Sequence, residues 1–105
     1  MAHVITAVRV DPDKAATKIE IENSLGAFQS IVGGYIERVP HSLSREFTIY
    51  VNDEGFIRDL PFNGGTGFIC SMPLFGTALF VGPVDSDGYD TDVPAQILDY
   101  YNLKG

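Results

Sequence analysis

Residues 60–84 run for 25 positions without one charged side chain. A run of that length is enough to cross a bilayer as a helix. Here it is interrupted by Pro61, Asn63, Ser71, Pro73 and Pro83 and by repeated glycines. A lipid-exposed span must satisfy its own backbone polar groups, and a segment broken this often does not. The run is therefore expected to form short buried strands, at 68–72 and 77–81, hinged at 73–76. Buried strands need neighbours to pair with and a layer to cover them, so the rest of the chain must supply both.

The chain has 105 residues, which is the size of one domain. Hydrophobic residues make up 45% and charged residues 20%, a balance that excludes disorder, collagen and coiled coil. Seven Lys and Arg against fourteen Asp and Glu leave a net charge of −7. Such a chain repels a phosphate backbone and an anionic membrane surface, so direct nucleic-acid binding and membrane attachment are not expected. The single cysteine, Cys70, excludes an intrachain disulfide and fits a reducing cytosol. The start, MAHVITAVRV, lacks the basic and long apolar parts of a signal peptide, so a cytoplasmic location is expected.

Residues 3–10 read as a strand through Val4, Val8 and Val10, stopped by Asp11-Pro12-Asp13. Residues 18–22 alternate charge with Ile19 and Ile21, the pattern of a half-buried edge strand. Asn23 and Ser24 are N-cap residues for a helix carrying Leu25, Phe28, Ile31 and Val32 on one stripe, and Gly33-Gly34 ends it. Strands follow at 35–39 and 47–51. The turn Asn52-Asp53-Glu54-Gly55 is expected to return the chain as an antiparallel strand over 56–60. Residues 63–67 are a glycine loop and 85–92 a polar loop. Val93, Ile97, Leu98 and Tyr101 recur at helical spacing after Pro94, which suits a first turn. The order implies an α+β fold: a mixed, mainly antiparallel sheet with two short helices packed on one face.

Several segments carry a family resemblance: NSLGAFQSIVGGYIERV at 23–39, YVNDEG at 50–55, LPFN at 60–63 and LFVG at 79–82. In this order and spacing, over residues 19–101, the chain resembles the small proteins grouped as domain of unknown function 3846. That resemblance implies a protein of bacteria, phages or mobile elements, with no general activity attached. Relatives commonly carry a basic residue after the LP-x-N asparagine, whereas this chain has Gly64. An anion-binding role at that position is then lost here or moved.

His3 and His41 stand at no metal-ligand spacing. Cys70 lies in an apolar run and is expected to be a buried, inert thiol. Asp85, Asp87, Asp90 and Asp92 fall within eight residues, but Gly88 and Gln96 do not match a calcium loop, so a solvated acidic loop is expected. Asn63, Gly64, Gly65, Thr66 and Gly67 form either a plain turn or a nest of backbone N–H groups for a phosphate. In the second case Arg38, Arg45 and Arg58 would supply charge, and Tyr35 or Phe62 a stacking surface.

No nucleophile has an evident base and no metal set is present, so a non-catalytic binding protein is expected, with no cofactor. The leading reading is a phage or mobile-element accessory protein that sequesters a nucleotide-like small molecule or docks on a host defence protein. One alternative is an acidic DNA mimic using Asp11, Glu20, Glu22, Glu37 and Asp53. Another is a small hydrolase built on Cys70 or a carboxylate pair. Tyr100 and Tyr101 cannot both face inward from one helix. A homodimer is expected, with Phe75, Leu79 or Tyr101 at its interface.

Overall fold

The computed structural model describes residues 3–41, 45–55, 57–66 and 73–103. Five strands form one sheet: β1 (Val4–Val10), β2 (Thr17–Glu22), β3 (Ile36–Arg38), β4 (Thr48–Asn52) and β5 (Ala78–Val81). Two helices, α1 (Leu25–Val32) and α2 (Ala95–Tyr100), complete the α+β fold. The sheet order is β2-β1-β5-β4-β3 and every neighbouring pair is antiparallel. The uncharged run thus places its strand β5 at the centre, where all four residues are buried.

Alternation along the strands divides the core in two. Val8, Val10, Ile49, Val51, Ala78 and Phe80 point to one face, where Ile97 and Tyr101 of the α2 segment cover them. Ile5, Ala7, Tyr50, Leu79 and Val81 point to the other, under Phe28 of α1. The helices therefore lie on opposite faces of the sheet, not on one face as the element order implies. The reason is that β4 and β5 are apolar on both sides, and a sheet with two apolar faces needs a layer over each.

Helix α1 follows from its caps. The Ser24 hydroxyl accepts the Ala27 N–H at 3.2 Å, and Gly33 takes a left-handed φ of 82° that lets its N–H close on the Gln29 carbonyl. Pro94 stands at the N-cap of α2 in an extended conformation rather than inside the first turn. Tyr101 turns inward, edge-on to Phe80 at 5.7 Å, while Tyr100 stays exposed. The return strand expected over 56–60 does not form across the described residues 57–60. Arg58 N–H donates to the Glu54 carbonyl and Leu60 N–H to the Gly55 carbonyl, so the chain curls through turns, with Asp59 at φ 57°. Residues 67–72, which include Gly67, Cys70 and the expected strand 68–72, lie outside the described residues. No helix among the described residues is long and apolar enough to cross a membrane.

Candidate functional site

The hairpin between β3 and β4 brings three nitrogen-bearing side chains together. Arg38 closes β3, His41 follows Pro40, and Arg45 stands just before β4. With Val39, Phe47, Thr48, Pro83 and Val84 they line a cleft of about 310 Å³. Antiparallel pairing explains the arrangement: the end of β3 and the start of β4 must lie side by side, so residues flanking the connection converge. His41 stacks on Phe47 with ring centroids 4.5 Å apart, and its Nε2 lies 3.0 Å from the Phe47 carbonyl. Burial pushes the imidazole below its ordinary pKa, opposed by the Phe47 carbonyl contact.

Arg38 also lies beside the Tyr50 hydroxyl, which donates to Asp90 Oδ1 at 2.8 Å. Burial first, then Asp90, pushes the Tyr50 phenol above its ordinary pKa, and Arg38 pulls the other way. A second, larger cleft of about 500 Å³ is bounded by His3, Asn23 and the acidic loop. The loop is exposed, as expected, and it is also held by hydrogen bonds. Asp85 Oδ1 accepts the N–H groups of Asp87 and Tyr89 at 2.9 Å each, and Asp92 Oδ1 accepts the Thr6 N–H at 2.8 Å. Asn23 Nδ2 donates to the Asp90 carbonyl at 2.8 Å. Asp85 thus closes the loop on itself, while Asp90 and Asp92 tie it to the sheet. Among the described residues, no three His, Cys, Asp or Glu side chains group as metal ligands.

The other residues expected around one anion site are dispersed. The Asn63 side chain is buried, with Nδ2 donating to the Val10 and Gly76 carbonyls at 2.7 and 2.9 Å and Oδ1 accepting the Gly65 N–H. Thr66 is buried, and its hydroxyl donates to the Asn63 carbonyl. Gly64–Thr66 is a single 3-10 turn against α2, where Tyr101 donates its hydroxyl to the Gly65 carbonyl at 2.8 Å. That turn adjoins Gly76, before β5, whereas the arginine cleft adjoins Pro83, after it. Seven residues of mostly extended chain separate the two by roughly 20 Å. Arg58 lies at the C-terminus of α1, with Nη1 3.4 Å from the Gly33 carbonyl. Tyr35 is exposed at the start of β3, and Phe62 is exposed, edge-on to Phe75 at 6.0 Å. Of the nine expected residues, only Arg38 and Arg45 share a cleft. The sequence signal that would have added His41 is its place between two arginines in the connection of one hairpin.

The interface expected around Leu79 is also corrected. Leu79 is 0% exposed because it faces α1 from the central strand, whereas Phe75 and Tyr101, the other two residues expected there, are half-buried. The five carboxylates of the DNA-mimic reading are dispersed: Glu20 and Glu22 on one sheet edge, Glu37 on the other, and Asp53 in a turn. Asp11 is held by Arg9 and Thr77.

A family model described as domain of unknown function 3846 matches residues 5–104, nearly the whole chain. No curated protein and no solved structure matches the chain.

Proposed function

The chain belongs to the family of domain of unknown function 3846, small proteins of bacteria, phages and mobile elements, and we propose that it works by binding a small phosphorylated molecule in the Arg38–His41–Arg45 cleft. The carrying observation is the charge placement. In a chain of net charge −7, two of the seven Lys and Arg and one of the two His line one cleft. A guanidinium offers a planar fork that matches phosphate oxygens, and two forks flanking one cleft suit a phosphoryl group better than a lone carboxylate. Thr48, at the floor, adds a hydroxyl that both donates and accepts.

The cleft volume of about 310 Å³ lies at the small end for ligand sites. It suits a mononucleotide or one phosphate-bearing end of a larger nucleotide. Neither Tyr35 nor Phe62 reaches the cleft. The aromatic side chains that line it are His41 and Phe47, stacked on each other. Sequestration of a nucleotide-like signal needs only such a site, without a nucleophile or metal, and is the form of accessory role this reading supports.

Titration calorimetry with inorganic phosphate, pyrophosphate, and linear and cyclic nucleotides tests it. Binding heat is expected for at least one phosphorylated compound, weakening as salt rises. The Arg38→Gln/Arg45→Gln variant should lose that heat while keeping its melting temperature, because both side chains are exposed. Absence of heat across the whole panel, or equal binding by the double variant, would overturn the proposal.

A further inference from the structure

Strand β2 forms one edge of the sheet, and its register on β1 says which backbone groups face outward. Asn23 N–H donates to the His3 carbonyl, so the bonded pairs between these strands fall at odd-numbered residues. The N–H and C=O groups of Lys18 and Glu20 consequently point away from the sheet. Their side chains are exposed and of opposite sign, and Ile19 between them lies on the face that carries α1 and is only half buried. An edge this open normally repels a second strand through charges of one sign. Here the outward-facing residues are Lys18, Glu20 and Glu22, and the neighbouring Lys18 and Glu20, of opposite sign, complement each other when two such edges run antiparallel.

We propose that β2 pairs with β2 of a second copy of this chain, about a two-fold axis through Ile19, joining the two sheets into one. In that register Lys18 of each copy stands opposite Glu20 of the other, and they exchange N–H to C=O bonds reciprocally. The two Ile19 residues form a close, non-hydrogen-bonded pair on the axis, covering apolar surface that the single chain leaves open. Charge selects this register. An axis at Glu20 sets Lys18 opposite Glu22 but also puts two Glu20 side chains against each other, and an axis at Lys18 sets two lysines together. The surface differs from the interface expected at Leu79 and Tyr101, and it is independent of the arginine cleft.

Analytical ultracentrifugation from micromolar to millimolar protein tests the pairing. The unmodified chain is expected to form dimers. Lys18→Glu and Glu20→Lys each replace two opposite pairs by two like pairs, so each alone should weaken the dimer roughly ten- to hundredfold. Mixing the two variants restores opposite charges across the axis and should restore association as a heterodimer. Hydrogen exchange supplies a second reading, since the amides of Lys18 and Glu20 gain protection only if this edge is paired. Either of two results overturns the proposal: a monomer at every concentration, or a dimer that neither reversal weakens. Circular dichroism of each variant separates lost pairing from lost folding. If Glu20→Lys does not fold, because Glu20 also accepts the Thr6 hydroxyl, Lys18→Glu and the exchange pattern still decide.

Discussion

Asn63 ties the end of β1, the turn before β5 and the Gly64–Thr66 turn together, and its replacement gives a quantitative test of the fold. Nδ2 donates to the Val10 carbonyl at the end of β1 and to the Gly76 carbonyl before β5, at 2.7 and 2.9 Å. Oδ1 accepts the Gly65 N–H at 3.1 Å, and the residue is 1% exposed. Val10 and Gly76 are themselves buried, so water cannot take over their carbonyls. Asn63→Ala removes three bonds at a net of about 1 kcal/mol each and leaves buried acceptors unmet, a loss of roughly 3 kcal/mol or more. A domain of this size has only about 5–15 kcal/mol in total. With a urea m-value near 1.5 kcal/mol/M, the unfolding midpoint should fall by about 2 M. Asn63→Asp keeps the volume but turns an oxygen toward two carbonyl oxygens. It should lose at least as much at neutral pH, and recover part of the loss in acid, where protonation restores one donor. The reasoning fails if the alanine variant loses less than about 1 kcal/mol, or if the aspartate variant is as stable as the parent.

Two further perturbations test other joints of the structure. A Cβ at Gly82 would meet the Asp92 carbonyl oxygen at 2.1 Å and Thr91 Oγ1 at 2.5 Å, so Gly82→Ala must displace the acidic loop. A loss of several kcal/mol is expected in thermal unfolding, and an unchanged melting temperature would contradict the close crossing. Asp11 sits below its ordinary pKa of 3.8, chiefly through the Thr77 hydroxyl at 2.6 Å and then through Arg9. A lowered carboxyl contributes stability that is full above pH 3.8 and is lost as pH falls through the folded-state value. Thr77→Val should therefore be less stable than the parent at neutral pH, with the gap closing in acid. Denaturant titrations across that pH range would show it, and a gap constant with pH would count against the assignment.

How much of this was legible in the residues varies with the kind of signal. Helix α1 was, because Ser24 and Gly33 mark its ends chemically and Phe28 and Val32 mark its buried side. Strand β2 was, because Lys18, Glu20 and Glu22 alternate with two isoleucines. Residues 57–60 were misread because a turn residue followed by apolar residues reads equally as a hairpin return or as a succession of turns. The distinction lies in the bonds from Arg58 to Glu54 and from Leu60 to Gly55, which no local pattern announces. The opposed placement of the helices was present in principle. ALFV at 78–81 shows no alternation, and a strand without alternation is covered on both faces.

The bonds that hold the exposed acidic loop in place follow from topology. In the register of β1 on β5, Val8 stands opposite Phe80, so Thr6 would stand opposite Gly82. Strand β5 ends at Val81, and β1 runs past it. The Thr6 backbone then needs partners that no strand supplies, and a buried or half-buried N–H without one is costly. The Asp92 carboxylate accepts the Thr6 N–H, and the Val93 N–H donates to the Thr6 carbonyl. Gly82 donates its own N–H to Thr91, which draws the loop across the end of the strand and excludes any side chain at 82. The acidic residues near the end of β5 are thus fixed by the needs of β1's backbone. The same crossing sets Asp90 on the Tyr50 hydroxyl, beside which Arg38 also lies. Carboxylate and guanidinium thus meet at one buried phenol hydroxyl. Arg38 also lines the cleft with His41 and Arg45, so two of the seven Lys and Arg of a chain of net charge −7 stand at one place.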